Sequence, residues 1–483
     1  MTSPQVSGLE GMMQRRDLLR VGSLSIAATA LPAAMLAGSK PARAAGKNEP
    51  REGQGKAKSV IFLWMAGGVT HIDSFDPKPN APIEIRGILD DMPTNVPGIR
   101  FCETLPHLAR VADKLAVLRS YSHDSNDHLI SQVYTLSGKK IANMTQLYNE
   151  PNIGSLIWKL QGPRNGLPGY IAVPGITRPG PPPFNLFVGG WLGNAFRPYC
   201  LGGIQDVDFA VGEKLFDPPA LATEDLKPQS LGLPDEVTLA RLSSRRQLRD
   251  SFDQALRALD KNDKILAAQS HYENALRLLT TPEVRRAFEV ADEPDSVREA
   301  YGRTKIGGRC LQARRLVESG ARFVMVDYGY DPEYGNIWDN HNAPVQNHPP
   351  IQQMVRRGYH LAGMDKAFAA LISDLDERGL LQTTLVCFIT EFGRTPQINA
   401  LGGRDHWGAA GSLFFTGAGT KVGQVIGETD RTASKPVTHP YGPWDVAATI
   451  YQLLGVNYQS FAYDIQDRPR PILEEGEPIQ ELL

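Results

Sequence analysis

Cysteine is scarce in this chain: only Cys102, Cys200, Cys310 and Cys387 occur in 483 residues, and no two stand as Cys-x-x-Cys. That spacing argues against a cysteine-based structural zinc site and a thioredoxin-like redox motif. Cys387 falls inside an apolar strand-like run and Cys310 in a helical stretch, so buried free thiols are expected rather than disulfides. An excess of charge of one sign is also missing. The 51 Lys and Arg nearly balance the 53 Asp and Glu, for a formal net charge of -2, and no long basic tract appears. Nucleic acid is therefore not expected as a main partner, because neutralising phosphates takes clustered cations. Aromatic residues make up 8% and form no evident row of the kind a polysaccharide-binding module would display. The apolar run Val21 to Leu36 is too short for a stable membrane span and contains Pro32. No internal repeat is apparent. With 41% hydrophobic and 22% charged residues, the composition suits one large α/β domain as well as two domains.

What is present begins with Gln14-Arg15-Arg16-Asp17-Leu18-Leu19-Arg20, followed by the diluted apolar run and then Pro41-Ala42-Arg43-Ala44. Paired arginines, an Ala/Gly/Ser-rich core and a small-residue end resemble a twin-arginine export signal over residues 1–44, cut after about Ala44. A polar linker over 45–58 would follow. Ser39 stands where a lipoprotein box needs cysteine, so no lipid anchor is expected. The twin-arginine translocase is the implied export partner, and the mature protein is expected to be periplasmic or secreted. Substrates of that route cross already folded, which suits a protein that acquires a metal before export.

The globular part opens at Ser59 to Met65, a continuous apolar run closed by Gly67-Gly68, as expected of a strand buried on both faces. Helical spacing over Leu105 to Lys114 precedes a second strand candidate, Leu115 to Leu118. Gly162 to Pro234 is rich in Gly and Pro and reads as irregular connections with a few short strands. Leu239 to Leu279 reads as long amphipathic helices, part of a helical insertion over about 235–300, and its basic Ser244 to Arg249 as a solvated face. Two helix-to-strand units then follow, Gly307 to Ser319 into Arg322 to Val326, and Met364 to Arg378 into Leu385 to Ile389. Consecutive units of this kind mean a mostly parallel sheet flanked by helices. Gly417 to Gly423 lacks the ending of a phosphate-binding loop and is expected to be a hairpin turn between Leu413-Phe414-Phe415 and Val425-Ile426. A last helix runs from Trp444 to Leu454 and stops at Gly455, after a structural His439-Pro440 loop.

In open α/β sheets ligands bind beyond the carboxyl ends of the strands, and polar residues cluster there in this sequence. His71 with Asp73 and Asp76, His123 with His128, Asp327 with Asp339 and His341, and Glu391 with Arg394, Asp405 and His406 each follow a strand candidate. Mixed imidazole and carboxylate donors at one sheet edge suit a divalent metal ion, Zn, Mn, Fe or Ca. Isolated histidines on predicted helices, such as His107, His271 and His360, read as surface or hydrogen-bonded residues.

The arginine-pair signal, Trp64 through Pro79, Tyr301-Gly302-Arg303 with Ala313 through Glu318, Trp338-Asp339-Asn340-His341 and Glu391 through Pro396 together resemble the bacterial family called domain of unknown function 1501. That family is similar to sulfatases and alkaline phosphatases. The resemblance implies one alkaline-phosphatase/sulfatase-like α/β domain over 59–483, with a metal site at the strand ends. It also implies substrates that are small anionic esters or sulfated or phosphorylated glycans. The Asp-His-Gly metal-binding triplet of sulfatase-like enzymes is matched by Glu391-Phe392-Gly393, which keeps the carboxylate and loses the imidazole. Asp339 and His341 resemble the pair binding a second metal, and His406 the late histidine ligand. His128 takes the place of the sulfatase nucleophile. A formylglycine sulfatase is thereby excluded, and Ser122, Ser125 and Ser131 are only nearby hydroxyls.

The expected function is a metal-dependent hydrolase that cleaves phosphate or sulfate esters by a metal-bound water. Its expected ligands come from His71, Asp73, His128, Asp339, His341, Glu391 and His406, with Arg394 stabilising developing anionic charge. Asp405 would orient its neighbour His406 only through the fold. The alternative is an exported binding or assembly protein without catalysis, on a scaffold that lost its nucleophile.

Overall fold

The computed structural model describes residues 55–175, 186–200 and 282–483, apart from 332, 345 and 347. The expected signal segment, most of the linker and the helices expected over Leu239 to Leu279 lie outside these residues.

Continuous apolar runs become strands because both faces of the sheet are covered. Among the described residues the main sheet has eight strands: β1 (Ser59–Trp64), β2 (Ala116–Tyr121), β3 (Tyr170–Val173), β4 (Tyr199–Cys200), β5 (Phe323–Asp327), β6 (Thr384–Ile389), β7 (Gly411–Thr416) and β8 (Gln424–Ile426), in the spatial order β8-β2-β7-β6-β1-β5-β3-β4. All neighbours pair parallel except β7, which runs antiparallel to both β6 and β2. The fold is thus α/β with a mostly parallel sheet.

Side chains alternate across each strand. Ile61 and Leu63 of β1, Val324 and Val326 of β5, and Val386 and Phe388 of β6 enter one core, beneath helices α3 (Lys305–Glu318) and α4 (Leu361–Glu377). Val60, Phe62, Phe323, Met325, Leu385 and Cys387 enter the other, beneath α1 (His128–Ser137), α2 (Ile153–Gln161) and α5 (Pro443–Leu453). The four cysteines are buried, and none forms a disulfide with another. No helix among the described residues is long and apolar enough to cross a membrane.

Two sequence expectations are corrected. Leu413 to Phe415 and Val425-Ile426 do not form a hairpin, because β2 lies between β7 and β8 and pairs with each of them. A strand from far upstream occupies the gap between them. The helical spacing of Leu105 to Lys114 forms a shorter 3-10 segment, Leu108–Lys114, kinked at Val111.

The sheet's geometry positions the site through β1 and β6. Their parallel register places Trp64 beside Ile389, so the residues that leave both carboxyl ends emerge together. Thr390 fastens the two exits, its hydroxyl donating to the Met65 carbonyl at 2.9 Å and accepting from the Val69 amide at 3.0 Å. Gly67 and Gly68 thereby face Glu391, Phe392 and Arg394. Both glycines have positive φ, +129° and +87°, and a Cβ on Gly67 would lie 2.9 Å from Cβ of Trp338. Glycine is required for that close approach.

Candidate metal centre

Four segments remote in sequence deliver the central side chains. His128 is the first residue of α1, whose N-cap Asp127 accepts from the amides of Leu129 and Ile130 at 2.9 and 3.0 Å. This cap fixes where the helix begins and so where the imidazole projects. Asp339 and His341 sit on the loop after β5, anchored by buried Trp338, whose indole donates to the Tyr328 carbonyl at 2.6 Å. Asn340 holds the same loop from beneath, bonding the Ile337 carbonyl at 2.9 Å and His360 at 2.9 Å. His406 is held by a short antiparallel ladder, in which Arg394 pairs with His406 and Gly393 with Trp407.

These donors converge. One ligand atom from each of His128, Asp339, His341 and His406 lies within 4.8 Å of all the others, the one such His, Cys and acidic group of this kind among the described residues. Asp339 Oδ1 is the hub, at 3.2, 3.1 and 3.2 Å from Nε2 of His128, His341 and His406. Arg394 Nη2 reaches the same oxygen at 2.9 Å. Burial would raise the Asp339 pKa, but the three imidazoles and the Arg394 charge outweigh it and hold the carboxyl far below the usual carboxylate range.

The far side of each ring decides its tautomer. Nδ1 of His128 bonds Glu391 Oε1 at 2.9 Å, Nδ1 of His341 bonds Asp405 Oδ1 at 2.8 Å, and Nδ1 of His406 bonds the Asn126 carbonyl at 2.9 Å. Each partner is an acceptor, so each Nδ1 carries hydrogen and each neutral ring turns its Nε2 lone pair inward. His341 Nε2 and His406 Nε2 are only 2.7 Å apart, and His128 Nε2 is buried without a hydrogen-bond partner. Two lone pairs opposed at that distance repel unless a proton or a cation stands between them. The adjacent Asp339 carboxylate raises the His341 pKa, while burial, only partly offset by Asp339, pushes that of His406 down to about 4. Three nitrogens, one carboxylate oxygen and an acceptor behind every imidazole fit a divalent transition metal.

The remaining candidate residues stand elsewhere. His71 is buried and bonds the Ala433 carbonyl through Nε2 at 2.8 Å, beneath the backbone of Gly393. Asp73 forms a buried two-pronged pair with Arg404, at 2.8 and 2.9 Å, and accepts from Thr70 at 2.7 Å. Glu391 lies behind His128: its Oε1 also accepts from the Gly67 amide at 2.7 Å and from Gln132 Nε2 at 3.2 Å. Arg394 is fully buried, bonding the carbonyls of Gly68 at 2.9 Å, Arg404 at 3.1 Å and Gly67. Asp405 bonds His341 rather than its neighbour His406. His123 bonds the Glu391 carbonyl and is not among the four clustered residues.

Sequence reading missed four contributors: the Gly67 amide, the Asn126 carbonyl, Gln132 and Asn399, which donates to Asp405 at 3.1 Å. The Gly67-Gly68 pair was visible as the end of a strand, and Gln132 stands one turn after His128 on the same helix face. A backbone carbonyl leaves no sequence signal. Phe392 is buried with its ring 5.1 Å from His128 and 4.8 Å from His406, so an apolar wall closes this side of the cluster.

Several solved structures are similar to this chain. The phosphonate monoester hydrolase SpPMH from Silicibacter pomeroyi is 14% identical, with a TM-score of 0.34 over 88% of this chain and 76% of that one. The lipoteichoic acid synthase LtaP from Listeria monocytogenes is 11% identical, with a TM-score of 0.32 over 84% and 74%. A protein solved in connection with the metabolism of multiple glycosaminoglycans by Bacteroides thetaiotaomicron is 11% identical, with a TM-score of 0.35 over 83% and 73%. A search of curated proteins finds no match. The sequence itself is decisive on family: residues 57–483 match the model described as protein of unknown function (DUF1501), and the chain belongs to that family.

Proposed function

We propose that this chain is an exported metal-dependent hydrolase that acts on phosphate or sulfate esters, with one divalent ion held by His128, Asp339, His341 and His406. The observation that carries the reading is the inward convergence of three Nε2 lone pairs on one carboxylate oxygen, each ring locked from behind. Three imidazoles against one carboxylate favour Zn, Mn or Fe over Ca, which prefers an all-oxygen shell. Bound there, such an ion supplies a Lewis acid that lowers the pKa of a water and polarises an ester oxygen. The chain's own contribution is to hold and orient. Asp339 fixes the hub, Arg394 keeps Asp339 ionised and in place, and Phe392 packs against the rings of His128 and His406.

Arg394 spends its hydrogen bonds on backbone carbonyls and Asp339, which makes it part of the frame. This favours, as the second reading, a binding or assembly protein that uses the metal without turning over an ester. Export rests on the N-terminal pattern, and replacing Arg15 and Arg16 with lysine should retain the precursor in the cytoplasm.

The experiment is metal analysis of the mature protein purified from its export route, beside an Asp339→Ala/His341→Ala variant and a screen on aryl phosphate and sulfate esters. One equivalent of a transition metal in the wild type, none in the variant, and metal-dependent turnover are expected. Protein exported without stoichiometric metal would refute the metal reading. Metal without turnover would select the binding protein.

A further inference from the structure

We infer that Glu391 is a positioning residue and not a ligand: it sets the tautomer and direction of His128 and ties that ring to the exit of β1. The inference rests on the metal reading of the four-residue cluster and deepens it. Glu391 leaves the carboxyl end of β6, where its side chain is fully buried. Both of its oxygens accept from the Gly67 amide, at 2.7 and 2.8 Å, while Oε1 also takes His128 Nδ1 at 2.9 Å and Gln132 Nε2 at 3.2 Å. Donors from β1's exit and from two turns of α1 are therefore aimed at this carboxylate. Its charge is compensated by hydrogen bonds in place, and one of them fixes the hydrogen of His128 on Nδ1.

Geometry separates this role from ligation. Asp339 stands on the Nε2 side of His128 at 3.2 Å, whereas Glu391 stands on the Nδ1 side at 2.9 Å. One imidazole ring lies between the two carboxylates, so an ion at Nε2 is shielded from Glu391 by the ring. A carboxylate behind a ligand histidine raises the basicity of the ring and holds its orientation.

Glutamine at this position nearly preserves shape and tests the charge and the acceptor. Its amide nitrogen must face either His128 Nδ1–H or the Gly67 amide, a donor against a donor in both cases. Glu391→Gln should therefore weaken Zn²⁺ or Co²⁺ binding about 10–100-fold, measured by chelator competition on the folded, metal-stripped protein. The visible spectrum of the Co²⁺ form should change in the same variant. In a His128→Ala background the Glu391→Gln penalty should shrink to within about twofold, because the ring through which it acts is gone. Independently of Glu391→Gln, ¹⁵N NMR of histidine-labelled wild type, metal-free, should show His128 with hydrogen on Nδ1, assigned by its loss in His128→Ala.

A penalty that persists in full without His128 overturns the inference, as does an Nε2–H tautomer for His128 or unchanged metal affinity in Glu391→Gln. If the variant does not fold, the wild-type tautomer alone decides. Wild-type protein that binds neither ion refutes the metal reading itself, a failure distinct from a metal site that ignores Glu391.

Discussion

Two carboxylates do the same work on opposite walls of the cluster, and they differ in how much water reaches them. Glu391 bonds His128 from a position with 0% side-chain exposure, and Asp405 bonds His341 from one that is 54% exposed. On the inner wall Phe392, Arg394 and the Gly67-Gly68 exit exclude solvent, so every donor and acceptor there must be matched within the protein. On the outer wall Asn399 steadies Asp405, and water can take over a lost bond. The same hydrogen bond should therefore be worth more on the inner wall.

The hub joins the two walls, and its removal should have the largest effect. Asp339→Ala removes the one carboxylate oxygen on which the three rings converge and takes the Asp339 counter-charge from Arg394. Stoichiometric metal should be lost. A buried guanidinium deprived of its counter-charge should also cost about 3 kcal/mol of folding stability, read by urea denaturation of the metal-free forms. Wild-type stability in Asp339→Ala would show that the backbone carbonyls alone suffice for Arg394.

Gly67→Ala attacks the inner wall only. With φ at +129° and a new Cβ 2.9 Å from that of Trp338, the substitution strains the backbone and presses on the residue before Asp339. A loss of about 2–3 kcal/mol is expected from thermal melts, together with weaker metal binding as the Gly67 amide shifts from Glu391. Unchanged metal affinity would mean that the Glu391 bridge tolerates displacement and that the inner wall is softer than its burial implies.

A pH titration probes the support beneath the hub. His360 is fully buried against Trp338, 4.5 Å between ring centroids, and burial lowers its pKa to about 3. The folded state thus refuses a proton that the unfolded state accepts at about 6.5. Stability contributed by this neutral ring is complete above pH 6.5 and falls as the pH drops toward 3. Between pH 7.5 and pH 5 the loss should be about 2 kcal/mol. His360→Asn should flatten that part of the stability profile in metal-free protein, even if it lowers stability throughout.

The same contrast explains what the sequence revealed. Strands β1, β5 and β6 were legible because burial on both faces forces continuous apolar runs, and the helix-to-strand order forced their parallel pairing. The relation of β7 to β8 was not legible, since no local signal announces that β2 inserts between them. At the site, the polar residues after strand ends include the four that the structure brings together. Whether a given side chain turns toward the cluster depends on distant partners. His71 is claimed by the carbonyl of Ala433, 362 residues away, and Asp73 by Arg404, 331 residues away. Glu391 and Asp339 are chemically alike, and only the ring between them distinguishes a support from a hub.

The smallest effect belongs to Asp405→Asn. Burial would raise the Asp405 pKa, but the bonds from His341 and Asn399 lower it, so the group is ionised at neutral pH and accepts the Nδ1 hydrogen of His341. An asparagine can turn its carbonyl oxygen toward that hydrogen and its amide toward solvent, where no buried donor opposes it. What is lost is charge at an exposed position, where screening by water and salt is strong. Metal affinity should fall by less than about tenfold, below the range for a support that is fully buried, and the loss should diminish further with added salt. Chelator competition at low and high ionic strength measures both. An Asp405→Asn penalty equal to that of Glu391→Gln would show that direction of the ring, and not exclusion of water, sets what each carboxylate contributes.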